Sequence, residues 1–291
     1  MCNVQNPTQV ELKARLETHL RQIVRERDPF LATEGHFYVQ QYIQQELGQW
    51  GTVDVQTLKR RGQTLQNLTL RLPAIAVPTG KPRSPILMGA HYDAVPGSPG
   101  ADDNATGVAV LLELARAFQQ TPARYPIHLV AFDFEETLDA EKGSTAYAEL
   151  LQGQPLRLMF SLEMLGYCDP TPGSQRYPAG LKRFYPDRGN FIGLIGNLTT
   201  IPDLMRLSRS IRQMGVPCEW LPAGQRGLIL PSTRRSDHAP FWDRGYRAIM
   251  VTDTADLRNP HYHRSSDRLE TLDLDFLTRI CLGLAHGIRS L

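Results

Sequence analysis

Two adjacent glutamates, Glu135 and Glu136, close the apolar run Ile127 to Phe134. The length and composition of that run predict a buried strand. Two like charges side by side repel one another and resist desolvation, so a buried strand ends in such a pair only where something offsets the cost. A dipositive metal does so: one carboxylate can ligate it while the other handles a proton beside it. A chain built around such a strand has to bring further ligands to the same end of its sheet.

The bulk properties leave room for this and remove other classes. A chain of 291 residues, 41% apolar and 21% charged, suits an ordinary globular α/β protein. The net charge of +2 comes with no basic tract and no aromatic-plus-basic patch, so neither nucleic acid nor an acidic membrane surface is expected as a partner. Cys2, Cys168, Cys218 and Cys281 are far apart and form no CxxC, which argues against a thiolate zinc site and leaves a Cys168–Cys218 bridge open. Met1 to Val10 is polar and no run approaches bilayer length, so the expectation is a cytoplasmic protein without a signal peptide.

Along the chain, Thr8 and Glu11 have capping-box spacing ahead of Leu12, Leu16, Leu20 and Ile23, the stripe of a first helix. A second helix over His36–Leu47 carries Tyr38, Tyr42, Ile43 and Leu47 on one side and is expected to stop at Gly48. Strands are predicted near Val53–Val55 and Leu65–Leu72, paired antiparallel at one edge, then at Ile86–Gly89, Ile127–Phe134, Met159–Leu162, Phe191–Ile195 and Ala248–Val251. Helices are predicted over Gly107–Phe118, Asp203–Met214 and around Phe276–Leu284, with long loops at Pro170–Arg188 and Pro222–Arg235. This alternation predicts a mixed, mostly parallel central sheet with helices on both faces, in a single α/β domain spanning 1–291. In open sheets of this kind, ligands bind outside the carboxyl ends of the strands.

Most of the polar clusters fall just after predicted strands. His91-Tyr92-Asp93 follows Ile86–Gly89, and a carboxylate two residues from a histidine can fix its tautomer. Asp102-Asp103-Asn104 opens the apolar helix at Gly107, and Glu163 follows Met159–Leu162. In Asn259-Pro260-His261-Tyr262-His263 either histidine could ligate, and Arg235-Ser236-Asp237-His238 precedes a packed segment. Taken singly, most of these have bland explanations; an acidic helix N-terminus, for example, is favourable with no metal. Together they provide nitrogen and oxygen donors without sulfur, a set suited to zinc or a similar divalent ion. Three carboxylates, two dications and one hydroxide balance to zero, which favours two metals over one.

The motifs GAHYD, GADDNATG, FDFEE, LEMLGY, SDHAPF and NPHYH, in that order from about Pro85 to Asp267, resemble peptidase family 28, the co-catalytic zinc aminopeptidases related to glutaminyl cyclase. The resemblance implies a zinc-exopeptidase-like fold with metal ligands His91, Asp103, Glu136, Glu163 and His263. It implies that Asp103 bridges two zinc ions, that Asp93 orients His91, and that Glu135 is the general base. Tyr262 matches an oxyanion-stabilising tyrosine, and Asp237 a carboxylate near the substrate. The sequence departs from the family in two places. Glu163 stands where most members have Asp, and Thr137–Lys142 puts six residues rather than four before Gly143-Ser144.

The function expected from this resemblance is a zinc-dependent aminopeptidase acting on peptides with a free N-terminus. The alternative is a glutaminyl-peptide cyclotransferase holding one zinc through Asp103, Glu136 and His263. A binding protein that has lost its ligands fits less well, because no ligand position is empty.

Overall fold

Leu12, Leu16, Leu20 and Ile23 are all buried along α1 (Pro7–Ile23), as their spacing requires. The computed structural model describes residues 7–60, 62–76, 82–137, 142–178 and 180–291. Pro7 opens α1, where its fixed φ suits the first helical position, so Thr8 lies inside the first turn and not at the expected cap. In α2 (Thr33–Gly48) the buried stripe is His36, Val39, Gln40, Ile43 and Leu47, whereas Tyr38, expected on that side, is 41% exposed. The helix ends at Gly48 as expected, although Gly48 is not among the glycines at positive φ.

The strands are β1 (Val53–Arg60), β2 (Gln63–Leu72), β3 (Ile86–His91), β4 (Ile127–Phe132), β5 (Leu158–Glu163), β6 (Ile192–Gly196), β7 (Cys218–Pro222) and β8 (Ala248–Thr252). The remaining helices are α3 (Gly107–Gln120), α4 (Gly143–Leu150), α5 (Ile201–Gln213), α6 (Ala239–Asp243) and α7 (Leu274–Arg289). All eight strands form one sheet in the order β1-β2-β4-β3-β5-β8-β6-β7. β4, β3, β5 and β8 run parallel at its centre. The β1–β2 pair is antiparallel at one edge, as expected, and β6 runs antiparallel to β8. This is the mixed α/β architecture that the alternation of elements predicts.

Alternate side chains of the central strands feed two cores. Ile86, Met88 and Ala90 of β3 join α1, α2, α3, α5 and α7 on one face. Leu87 of β3, with Val130 and Phe132 of β4, meets Tyr147 of α4 and Trp242 of α6 on the other. Burial on both faces explains why these strands read as unbroken apolar runs. Gly89 has a local cause: a Cβ there would lie 2.2 Å from the ring of Phe132 on the neighbouring strand.

Several boundaries differ from expectation in ways that matter for the site. β4 ends at Phe132, two residues before the predicted end. The Asp133 N–H donates to the Asn67 side chain, and Phe134 has φ 62°. His91 and Glu163 are the last residues of their strands and do not lie beyond them. β7, α4 and α6 were not foreseen; they are short, and Pro222 and Pro240 obscure two of them. Cys168, Cys218 and Cys281 are free thiols, so the Cys168–Cys218 bridge is absent. Cys2 and most of the stretch Thr137–Lys142 lie outside the described residues. No helix among the described residues is long and apolar enough to cross a membrane.

Candidate metal centre

The four central parallel strands end at one rim of the sheet, and each delivers donors there. β3 supplies His91 at its last position, and β5 supplies Glu163 at its last position. The turn after β4 supplies Glu135 and Glu136, and the segment after β8 supplies His263. Asp103 arrives from the irregular turn Ala101–Thr106 that leads into α3. Three of these turns contain non-glycine residues at positive φ, namely Phe134 (62°), Met164 (52°) and His263 (58°). Such conformations are sparsely populated and persist where surrounding structure holds them.

Asp103 stands between two imidazoles. Its Oδ1 is 3.4 Å from His91 Nε2, and its Oδ2 is 3.2 Å from His263 Nε2. Glu163 Oε1 lies 3.4 Å from the same His91 nitrogen. Glu136 Oε2 lies 3.2 Å from the same His263 nitrogen. Three donor groups result among the described residues, His91–Asp103–Glu163, Asp103–Glu136–His263 and His91–Glu135–Glu136, with Asp103 common to the first two. His261 lies apart and pairs its Nδ1 with the Ser266 hydroxyl, which separates the two histidines that the sequence left open.

The supporting contacts fix these side chains. His91 Nδ1 faces Asp93 Oδ1 at 3.5 Å, a contact too long for a formed hydrogen bond, and no other described group bonds this nitrogen. Asp93 also accepts the backbone N–H groups of Glu135 (3.0 Å) and Glu136 (2.9 Å), so one carboxylate ties the β3 and β4 contributions together. Ser236 donates to Glu163 Oε2 at 2.6 Å. Lys142 Nζ reaches Glu135 Oε1 at 2.6 Å. Asp237 is buried nearby; burial foremost, with the charges of Glu135 and Glu163, pushes its pKa up to about 8 against the opposing effect of His91. Tyr262 stacks on His263, with ring centroids 3.7 Å apart.

The electrostatics test whether a cation fits. Burial disfavours charge on His263, but hydrogen bonds and charges from Asp103 and Glu136 outweigh it and raise its pKa to about 10. His91 is likewise raised well above its ordinary value, its burial outweighed by Glu163, Asp103 and Asp93. Burial, then the Asp103 charge, drives Glu136 strongly toward its neutral form. As protein groups alone, the cluster draws protons onto both imidazoles to offset its carboxylates. Divalent cations would supply that positive charge instead, and the oxygen and imidazole donors fit them. Glu136 Oε1, buried without a hydrogen-bond partner among the described residues, is a further donor aimed at no protein group.

Several supporting residues were invisible in the sequence. Arg27, fully buried, donates to the carbonyls of Tyr92 (2.7 Å), Pro99 (2.5 Å), Gly100 (2.8 Å) and Asp103 (3.3 Å). Burial lowers its pKa to about 10, so it remains charged at neutral pH. Gly100 turns with φ 59°, and a Cβ there would press against both Asp103 O and the Arg27 guanidinium. From the other side Asp267 accepts the backbone N–H groups of Asp102 (2.9 Å) and Asp103 (3.1 Å). Arg27 sits in a charged run that reads as a solvated face, and nothing local marks it. Asp267 had only its place at the end of the motif series.

Residues 74–197 match the model for peptidase family M28. The YfbL protein of Escherichia coli (strain K12) is 36% identical over 214 residues, which cover 68% of this chain and 64% of YfbL. The match over residues 74–197 places that stretch of the chain in peptidase family M28. Another relative is aminopeptidase YwaD of Bacillus subtilis (strain 168), 39% identical over 84 residues, or 28% of this chain and 18% of YwaD. The chain thus spans less than two thirds of either relative. Among solved structures, the LapA aminopeptidase of Legionella pneumophila superposes with a TM-score of 0.72 at 20% identity, covering 98% of this chain and 74% of LapA. The glutaminyl cyclase of Macrostomum lignano superposes with a TM-score of 0.70 at 16% identity, covering 100% and 92%. At these identities the likeness establishes the shared fold alone. SDHAPF and NPHYH lie beyond the M28-matched residues, so the positions of Asp237, Tyr262 and His263 rest on the geometry above.

Arg27→Met keeps an unbranched stem and removes the charge-assisted bonds. It is expected to lower the unfolding free energy by about 2–4 kcal/mol, read from urea denaturation. An unchanged midpoint would show that the Pro99–Asp103 loop does not depend on the guanidinium.

Proposed function

We propose that this protein is a zinc-dependent aminopeptidase with two ions per chain. One observation carries the reading: the two oxygens of Asp103 face two different imidazoles, each with its own second carboxylate. In this reading His91 and Glu163 would hold one ion, Glu136 and His263 the other, and Asp103 would offer one oxygen to each. A single-ion cyclase would need only Asp103, Glu136 and His263, leaving the His91–Glu163 pairing, and the Ser236 bond that fixes it, without a role. Zinc held by these residues would supply Lewis acidity to a carbonyl oxygen and lower the pKa of a water.

The remaining steps belong to the protein. Glu135 groups with His91 and Glu136 but is in neither of the two groups that share Asp103, and the second ligand of each imidazole is Glu163 or Glu136. Burial raises its affinity for a proton, while Lys142 and His91 oppose that rise. It accepts a proton from the attacking water at a carboxylate oxygen and returns it to the leaving amine nitrogen. The Tyr262 hydroxyl donates to the oxygen of the carbonyl as it gains negative charge. Asp237, whose burial disfavours its charged form, is in this reading the carboxylate beside the substrate's free α-ammonium, and that incoming cation would favour its ionisation.

An apolar cavity of about 190 Å³ opens beside Glu163 and Tyr262, lined by Tyr177, Tyr185, Phe191, Leu194, Trp220 and Met250. Its chemistry suits a large apolar side chain at the substrate's N-terminus.

The experiment that tests the reading is metal analysis of the purified chain together with an assay of aminoacyl-anilides. About two zinc per chain, with hydrolysis of leucyl- or phenylalanyl-anilide, is the expected result. One zinc, with pyroglutamate formed from an N-terminal glutamine peptide, would establish the cyclase instead. Glu135→Gln should retain metal and lose about 10²–10⁴-fold in turnover; wild-type turnover would remove Glu135 as the base. His263→Ala is expected to lose metal and His261→Ala to keep it, as measured by zinc content after dialysis. Equal loss in both would contradict the assignment of His263.

A further inference from the structure

Arg235, two residues before Asp237, lies on the wall of the apolar cavity that Tyr262 also lines. Its Nη2 donates to the Tyr262 hydroxyl at 3.0 Å, and its Nη1 donates to Asp256 Oδ1 at 2.9 Å. Its guanidinium carbon lies 5.6 Å from the centroid of the Tyr262 ring. Asp256 thus holds one edge of the fork while the other is spent on the phenol oxygen.

A guanidinium has five donors and no acceptor. In the Arg235–Tyr262 contact the phenol oxygen can therefore only accept, and its own hydrogen must point elsewhere. Tyrosine has an ordinary pKa near 10, so the phenol carries that hydrogen at neutral pH. Among the described residues no group accepts it. The ring is stacked on His263, which fixes its plane beside the donor cluster. The hydrogen is therefore left for a group that enters the cavity mouth. A cation on the acceptor side of a hydroxyl also polarises it and strengthens its donation, as hydrogen bonds in a chain reinforce one another.

We propose that Arg235 is a positioning residue that orients and polarises the Tyr262 hydroxyl as a hydrogen-bond donor to the tetrahedral oxyanion of the hydrolysed peptide. The inference rests on the aminopeptidase reading and on the donor role of Tyr262 within it. It adds a residue outside the metal-ligand set that acts on the reacting oxygen through the phenol. Arg235 also braces Asp256, so a purely structural role is the competing explanation. That role would operate whether or not residue 262 carries a hydroxyl, which makes the two separable.

The test is a double-mutant cycle on the zinc-loaded protein with Tyr262→Phe, Arg235→Met and the pair. Zinc content and thermal midpoint are measured for each variant. Tyr262→Phe is expected to lower kcat about 10²-fold. Arg235→Met is expected to lower kcat about tenfold with KM within about twofold, because the bond it strengthens is made only in the transition state. The double variant should match Tyr262→Phe alone. Calorimetry supplies a second readout: Arg235→Met should weaken binding of the phosphonate analogue of leucine about tenfold and leave binding of leucine itself within about twofold. Arg235→Lys, which restores a charged donor, should recover part of both losses.

A wild-type kcat in Arg235→Met alongside an impaired Tyr262→Phe would overturn the proposal and leave the role of Tyr262 intact. A loss from Arg235→Met that persists in the Tyr262→Phe background would overturn it in favour of the structural role. An unimpaired Tyr262→Phe enzyme would overturn the donor role itself and the inference with it. Absence of peptide hydrolysis in the wild-type protein would overturn the underlying reading.

Discussion

The structure depends on holding Asp103 between His91 and His263 while three further carboxylates crowd the same rim. Negative groups buried at this density disperse unless backbone scaffolding and positive charge hold them. The scaffolding is visible on both sides of the Asp103 turn. Arg27 gathers the carbonyls of the Pro99–Asp103 segment, and Asp267 gathers the N–H groups of Asp102 and Asp103. The Arg27 guanidinium and the Asp267 carboxyl group thus clamp opposite edges of one short loop and fix the backbone that carries Asp103. This is preorganisation of the kind metal and oxyanion sites require.

The fold brings distant residues to that loop by simple means. Four parallel strands have a common direction, so their carboxyl ends share one rim; His91, Glu136 and Glu163 lie at or just past strand ends, and longer loops carry Asp103 and His263 to them. Asp93 then couples neighbouring strands by accepting the Glu135 and Glu136 N–H groups while facing His91. A second buried network lies behind it. His36 of α2 and the Tyr92 hydroxyl both bind Asp133, at 2.8 Å and 2.7 Å. The N-terminal helices therefore support the site although they supply no donor to it.

Much of this was legible in the sequence because it depends on local patterns. The apolar runs marked the central strands, and the polar residues at their ends marked the rim. His91, Asp103, Glu136, Glu163 and His263 do come together, and Asp93 sits where an orienting carboxylate should. What the sequence concealed depends on tertiary contacts. Arg27 lies in a run of charges that looks solvated, yet it is fully buried by elements far away in the chain. Lys142 and Arg235 find their partners only once loops are placed. Tyr38 matched the helical stripe but points out, because the inward direction of α2 is set by its packing and not by its own pattern. The end of β4 was placed too late because Phe134 is apolar, and an apolar side chain does not reveal a positive φ.

The account turns on Asp103 as a shared ligand, and anomalous diffraction from zinc-loaded crystals tests it most directly. It predicts two zinc peaks about 3.5–4 Å apart, one beside His91 and Glu163 and the other beside Glu136 and His263, with Asp103 between them. A single peak, or none, at that rim would contradict it.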